Sequence, residues 1–282
     1  MPETIVMHRG HGLPYSKGLM AQALSATGLT PQRAFELARE VERRLDERGG
    51  GRVDLVSLRA LAEEVLRARE GEGAVRRYRD WHRLDRLDRP LIVMLGGAAG
   101  VGKSTLATML AHRLGVTRVI ATDVIRQVLR AFFTSEAMPT VHASAFEVDL
   151  EGFREQAEHV GTGVAAIVER ACAEGTPVVV EGVHVVPGTL TQELRGQCVA
   201  VEALLVVRDE NLHRGHFSLR GAARPAGRYH DNFQNIRALQ EHLTADADER
   251  RMPVIDNANV EATLGRLMDL VLDAVGSLDE RG

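Results

Sequence analysis

Gly97-Ala98-Ala99-Gly100-Val101-Gly102-Lys103-Ser104 decides how this chain is read. The stretch satisfies the spacing G-x-x-x-x-G-K-[ST] at every position. Before it runs Leu91-Ile92-Val93-Met94-Leu95, an apolar run of the length of a buried strand. After it, Thr105 to Leu114 reads as a helix stopped by Gly115. In that context the glycines let the backbone turn tightly, so that successive N–H groups face a phosphate, and the helix N-terminus adds partial positive charge. Lys103 is placed to reach the β- and γ-phosphates, and Ser104, with Thr105 beside it, to meet a Mg²⁺ ion. The plain alternative, a glycine-rich turn that binds nothing, is disfavoured by the strand and helix on either side. The loop implies a nucleoside triphosphate and leaves the fate of its γ-phosphate open.

Downstream of Leu91, strand and helix patterns alternate. Apolar strand candidates are Leu91–Leu95, Arg118–Ala121, Pro177–Val180, Glu202–Val207 and Pro253–Ile255. Between the second and third lies a long helix whose stripe is Val160, Val164, Ile167, Val168 and Ala171, ended by Gly175. Leu264, Leu267, Met268, Val271, Leu272 and Val275 line a closing helix. The expected fold is α/β: a P-loop NTPase domain of the nucleoside-monophosphate-kinase type over 88–282, with a five-stranded parallel sheet and helices on both faces.

Upstream, residues 1–87 form a smaller, mainly helical domain. Thr4 to Met7 reads as a strand, Arg9 to Gly12 as a tight turn, and Ser16 to Ala26 as a short amphipathic segment. Thr30 caps a helix with Pro31 in its first turn, and Ala34, Leu37, Ala38, Val41 and Leu45 share one face. Gly49-Gly50-Gly51 interrupts the chain. Asp54 then caps a second helix lined by Leu58, Leu61, Ala62, Val65 and Leu66. A last helix from Ala74 to Leu87 runs into a linker that ends at Pro90.

The 282 residues carry a formal net charge of −4 and 4% aromatic residues, which argues against a nucleic-acid partner. No apolar run has membrane-spanning length and no signal peptide stands at Met1-Pro2-Glu3-Thr4, so a cytoplasmic protein with no membrane partner is expected. The two cysteines, Cys172 and Cys198, have no metal-ligand spacing and read as buried thiols. A homo-oligomer is left open.

In an open parallel sheet, ligands gather at the carboxyl ends of the strands. The second strand ends in Thr122-Asp123-Val124-Ile125-Arg126 and the third in Glu181-Gly182-Val183-His184. Asp123 and Arg126 share a face of one helical turn, where the carboxylate would orient an attacking hydroxyl and the guanidinium would fork onto an anion. A helix cap with a surface ion pair is the plain alternative. Glu181, an acid at the end of an apolar strand, is placed to serve the Mg²⁺ ion. His184 follows on the next loop, where a structural role is equally expected. A basic stretch from His213 to Tyr229 includes Arg214, Arg220, Arg224 and Arg228. It reads as a lid, at about 211–230, that excludes water and brings cations to the phosphoryl group. A solvated basic loop is the alternative.

Two resemblances follow from these pieces. Residues 4 to 82 resemble an ATP-cone, the small nucleotide-sensing module of ribonucleotide reductases and their repressors. The likeness rests on the initial strand and turn, on Leu13-Pro14-Tyr15-Ser16, on the helix spacing, and on Ala74-Val75-Arg76-Arg77-Tyr78. The cone's basic residue after the aromatic falls on Leu19 here, with Lys17 two residues earlier.

The second resemblance is to the archaeal-type 2-phosphoglycerate kinase family. It is carried by Gly100–Thr105, Arg118–Arg126, Pro139–Ser144, Glu181–Gly188, Asn235-Ile236-Arg237 and Val254-Ile255-Asp256-Asn257. It implies ATP and Mg²⁺ as cofactors and phosphorylation of a small anionic phosphorylated acid, 2-phosphoglycerate, to 2,3-bisphosphoglycerate. On that reading Lys103, Asp123, Arg126, Arg220 and Arg224 carry the transfer. Arg126, Arg130, His142, Ser144, Glu181, His184 and Arg228 face the acceptor, and Ser104 and Glu181 serve the metal. Two rivals stand beside it: a kinase of another anionic polyol or sugar acid, such as an inositol phosphate, and a nucleotide-sensing regulatory ATPase with no metabolite acceptor.

Overall fold

The computed structural model describes residues 4–8, 10–84, 87–219 and 226–277. It divides into two compact units, Met1–Arg86 with Val275–Gly282, and Leu87–Ala274.

In the first unit, β1 (Ile5–His8) and β2 (His11–Pro14) pair antiparallel, with Ile5 opposite Pro14 and His8 opposite His11. Four helices follow, α1 (Lys17–Ser25), α2 (Pro31–Glu47), α3 (Leu55–Glu70) and α4 (Glu72–Arg83). Thr30 caps α2 by accepting from the Arg33 amide, and Asp54 caps α3 by accepting from the Ser57 amide, as their positions predict. Leu37, Val41, Leu61, Val65 and Tyr78 form the shared core. One element was not foreseen: β3 (Arg52–Asp54) pairs parallel to β1. Three residues are too few to display an alternating pattern, so only the partner strand reveals it.

In the second unit the sheet comprises β4 (Leu91–Gly96), β5 (Val119–Ala121), β6 (Val178–Glu181), β7 (Val199–Val206) and β8 (Val254–Asp256). All pairs are parallel and the strand order is β5-β6-β4-β7-β8. The strand β7 starts three residues before the expected Glu202, because its first residues pair with Leu91 and Ile92.

Helices connect the strands: α5 (Lys103–Leu114), α6 (Thr122–Phe132), the one-turn α7 (Pro139–His142), α8 (Leu150–Glu174) and α9 (Gln192–Gln197). Beyond β7 come α10 (Glu210–Leu219), α11 (Ala226–Asp231), α12 (Phe233–Glu249) and α13 (Val260–Gly276). Gly115 and Gly175 end α5 and α8 in the left-handed conformation that glycine adopts without a Cβ clash.

The α8 stripe Val160, Val164 and Val168 packs on Ile92, Met94, Val178 and Val180. Leu239 and Leu243 of α12 pack on Leu204 and Val206. Alternate residues of β4 and β6 face α5 on the other side. Each of the three α8 valines is fully buried and contributes about 1.5–3 kcal/mol. Cys172 and Cys198 are unbridged; Cys198 is buried in the same core as expected, while Cys172 is only half-buried and packs against its edge. Among the described residues no helix is long and apolar enough to cross a membrane.

Sheet register positions the site. Glu181 lies opposite Leu95 on β4 and opposite Ala121 on β5. Two residues past Leu95 the phosphate-binding loop begins, and two past Ala121 stands Asp123. Three segments distant in sequence therefore reach the same level at one end of the sheet.

Candidate functional site

The loop from Gly97 to Gly102 makes a close turn around its own helix start. Gly97, Gly100 and Gly102 have φ of 142°, 84° and 87°, values that disfavour any side chain. There is also no room: a Cβ on Gly97 would lie 2.3 Å from the Leu205 carbonyl oxygen, and one on Gly100 would lie 2.4 Å from Phe217 Cζ. Lys103 Nζ donates to the Ala98 carbonyl at 2.8 Å, folded along the loop it serves.

Ser104 Oγ donates to Glu181 Oε1 at 2.8 Å. Glu181 is buried at the end of β6. A hydroxyl and a carboxylate are hard oxygen donors, the kind Mg²⁺ takes when it keeps most of its shell for water and phosphate. Among the described residues no cluster of three His, Cys, Asp or Glu is grouped to hold a metal ion.

Asp123 is exposed in the first turn of α6, and its Oδ1 lies 3.6 Å from Arg126 Nε. Arg126 is half-buried and its Nη1 donates to two carbonyls, Val141 at 3.0 Å and Ala143 at 2.9 Å. The forked grip expected of Arg126 is thus partly committed to holding the loop after α7. Arg130, one turn further on, is exposed and donates to Gln127 at 3.4 Å. His142 ends α7 with Nε2 at 2.9 Å from the Phe133 carbonyl.

The Ser144 amide donates to Glu147 Oε2 at 3.2 Å. Glu147 also takes a bidentate pair from Arg228, whose Nε donates to Oε1 at 2.6 Å and whose Nη2 meets Oε2. Arg228 holds the Glu147 carboxyl below the usual carboxylate range. The expected lid is helical on both sides of the stretch 220–225, as α10 and α11, and Arg228 of α11 ties it to the loop after α7 through this pair. Tyr229 of α11 stacks on Phe217 of α10 with centroids 5.1 Å apart, and Phe146 lies 5.5 Å from Tyr229. Arg214 lies over the Phe233 ring at 3.8 Å. Arg220 and Arg224 fall outside the described residues.

His184 is corrected. It was expected to face substrate, but it is fully buried with both ring nitrogens engaged. Gln156 donates from Nε2 to the Thr140 carbonyl and, at 3.1 Å, to the Ala143 carbonyl, which leaves its Oε1 as an acceptor. His184 Nε2 therefore carries the proton and donates to Gln156 Oε1 at 2.8 Å, and Nδ1 accepts from the Thr122 hydroxyl at 3.0 Å. Burial pushes the His184 pKa down to about 4, against the raising effect of Asp123. The imidazole stays neutral and braces the residue just before Asp123.

Three side chains that sequence reasoning did not single out lie behind the phosphate-binding loop. His213 Nε2 is 2.8 Å from the Ala99 carbonyl oxygen, and His216 Nδ1 is 2.8 Å from that of Gly100. Asn257 Nδ2 donates to the Val101 carbonyl at 2.9 Å. His213 is buried between Phe217 and Phe233, and burial pushes its pKa down to about 4. Arg237 Nη1 approaches its Nδ1 at 3.4 Å. The only signal for the histidines was their place in the basic stretch, four and seven residues past Asp209.

In the first unit, Lys17 pairs with Glu42 at 3.2 Å, and Leu19 is 67% exposed.

A family model described as an AAA domain matches residues 92–201. A 2-phosphoglycerate kinase of Methanopyrus kandleri is 34% identical over 94% of this chain and 86% of its own length. A 2-phosphoglycerate kinase of Pyrococcus horikoshii is 35% identical over 92% of this chain and 90% of its own. Among solved structures, a shikimate kinase from Acinetobacter baumannii is 16% identical with a TM-score of 0.41, covering 69% of this chain and 97% of its own.

Proposed function

Because the chain belongs to the 2-phosphoglycerate kinase family, we propose that it transfers the γ-phosphoryl group of ATP to the free hydroxyl of 2-phosphoglycerate, giving 2,3-bisphosphoglycerate and ADP. The observation that carries this reading is the register of β4, β5 and β6. It sets the phosphate-binding loop, the Ser104–Glu181 pair and Asp123 at one level of the sheet.

The loop amides and Lys103 would hold the triphosphate, and Ser104 and Glu181 would hold a Mg²⁺ ion, which would supply positive charge to offset that of the phosphates. Asp123 accepts a hydrogen bond from the substrate hydroxyl and points its oxygen in line with the γ-phosphorus. The hydroxyl proton passes to Asp123 as the new P–O bond forms and the bond to the β-phosphate oxygen breaks. Arg126 steadies Asp123 and the acceptor loop, while Arg130, His142 and Ser144 border the space for the acceptor's phosphate and carboxylate. Arg220 and Arg224, on the stretch between α10 and α11, would bring further charge to the transferring group.

The test is ADP release measured across 2-phosphoglycerate, 3-phosphoglycerate, inositol phosphates and sugar acids. Turnover fastest with 2-phosphoglycerate, with a 2,3-bisphosphoglycerate product, supports the reading. Faster turnover with another polyol would reassign the acceptor, and phosphate release that no acceptor stimulates would replace the kinase with a regulatory ATPase.

A further inference from the structure

We infer that His213, His216 and Asn257 are positioning residues that set the phosphate-binding loop in its anion-binding shape before any nucleotide arrives. The inference rests on the nucleotide role proposed above.

Three consecutive carbonyls of the loop, those of Ala99, Gly100 and Val101, each meet a side chain from elsewhere in the fold. The contacts are 2.8, 2.8 and 2.9 Å long. In a planar trans peptide the carbonyl and the next N–H point in opposite directions. Holding those three oxygens outward therefore turns the amides of Gly100, Val101 and Gly102 the other way, into the turn. These are the donors a phosphate needs. A glycine-rich loop has many alternative backbone states, and ordering it on binding costs affinity that an already ordered loop keeps.

The clasp is built to hold one arrangement. Arg237 Nη1 donates to the Val207 carbonyl at 2.6 Å and approaches His213 Nδ1 at 3.4 Å. That leaves Nδ1 as the acceptor and Nε2 as the proton carrier, the tautomer that donates to Ala99. Phe217 and Phe233 pack on the ring, and Phe217 also closes on Gly100. The Asn257 amide sits so near Gly102 that a Cβ there would lie 2.5 Å from Nδ2. Two of the three side chains stand on α10, the helix that leads toward the arginines of the lid, and the third follows β8.

The two histidines donate from different ring nitrogens, and this makes the claim specific. A glutamine amide nitrogen occupies the place of Nε2, and an asparagine amide nitrogen that of Nδ1. The experiment is calorimetric titration of the full-length protein with ADP and Mg²⁺, with melting temperature and steady-state kinetics recorded for each variant. His213→Phe, which keeps the ring packing, and His216→Phe are each expected to weaken ADP binding roughly tenfold, the worth of about one hydrogen bond. KM for ATP should rise in step while KM for the acceptor holds. His213→Gln and His216→Asn should restore ADP affinity to within about twofold of wild type, and the exchanged pair, His213→Asn and His216→Gln, should not.

If His213→Phe fails to fold, the four amide variants still decide the matter. Equal ADP affinity across the matched and exchanged amides overturns the inference while the proposed function stands. A wild-type protein that binds no ADP overturns the nucleotide role itself, and the clasp with it.

Discussion

The Ser104 hydroxyl and the Glu181 carboxylate, 77 residues apart in sequence, lie 2.8 Å from each other at the carboxyl end of the sheet. The contact joins the first turn of α5 to the last residue of β6. Strand register enforces it, since Glu181 lies level with Leu95 just before the loop. Glu181→Gln keeps the side chain's shape and its acceptor oxygen for Ser104 but removes the charge. The Mg²⁺ concentration for half-maximal activity should rise about 10- to 100-fold, with the melting temperature nearly unchanged. A variant with wild-type Mg²⁺ dependence would reduce Glu181 to a structural partner of Ser104.

Asp123 is 58% exposed and approaches Arg126 at 3.6 Å, a loose surface pairing worth little to stability. Asp123→Asn should leave ADP affinity intact and lower kcat by about a hundredfold or more, the range for loss of a positioned base. Full kcat with the best acceptor would remove Asp123 from the mechanism.

His184 and His213 both have pKa values pushed down to about 4 by burial, from an ordinary 6.5. Above pH 6.5 both are neutral in the folded and the unfolded chain, and the stability of the folded form is complete. Below it, the unfolded chain takes up protons that the folded chain refuses, so stability falls as the pH drops from about 6.5 through about 4. Thermal melts across that window should show this decline. His184→Leu should reduce the slope of the decline and also destabilise at neutral pH. It leaves the Thr122 hydroxyl and Gln156 Oε1 buried without their partner, at about 1–3 kcal/mol for each.

Arg228 and Glu147 connect α11 to the loop that holds Ser144. The pair is partly exposed, so its effect on stability is small, about 1 kcal/mol or less. Its effect on acceptor binding should be larger, because Glu147 also fixes the Ser144 amide. Glu147→Ala is expected to raise KM for the acceptor several-fold while ADP affinity, read by calorimetry, stays put. A change in ADP affinity alone would place the pair on the nucleotide side.

Local chemistry made much of this molecule legible from its sequence. The loop from Gly97 to Ser104 announces itself because only glycine tolerates its φ angles and only a lysine and a hydroxyl complete it. The caps Thr30, Asp54, Gly115 and Gly175 act on backbone groups within a few residues, so a short window contains their whole cause. That Asp123 and Glu181 stand at the carboxyl edge of the sheet was legible because each follows an apolar strand run closely, and in a parallel sheet such positions share one edge.

What tertiary structure alone decided depends on partners far apart along the chain. A histidine after a strand reads alike whether it faces a substrate or a core; Gln156, 28 residues before His184, turns it inward. Nothing near His213 points to Ala99, 114 residues earlier, and nothing near Asn257 points to Val101, 156 residues earlier. The three-residue β3 exists because β1 offers it a ladder. For His184, His213 and Asn257 the deciding free energy is a hydrogen bond made away from water, and only the folded chain says which groups have lost theirs.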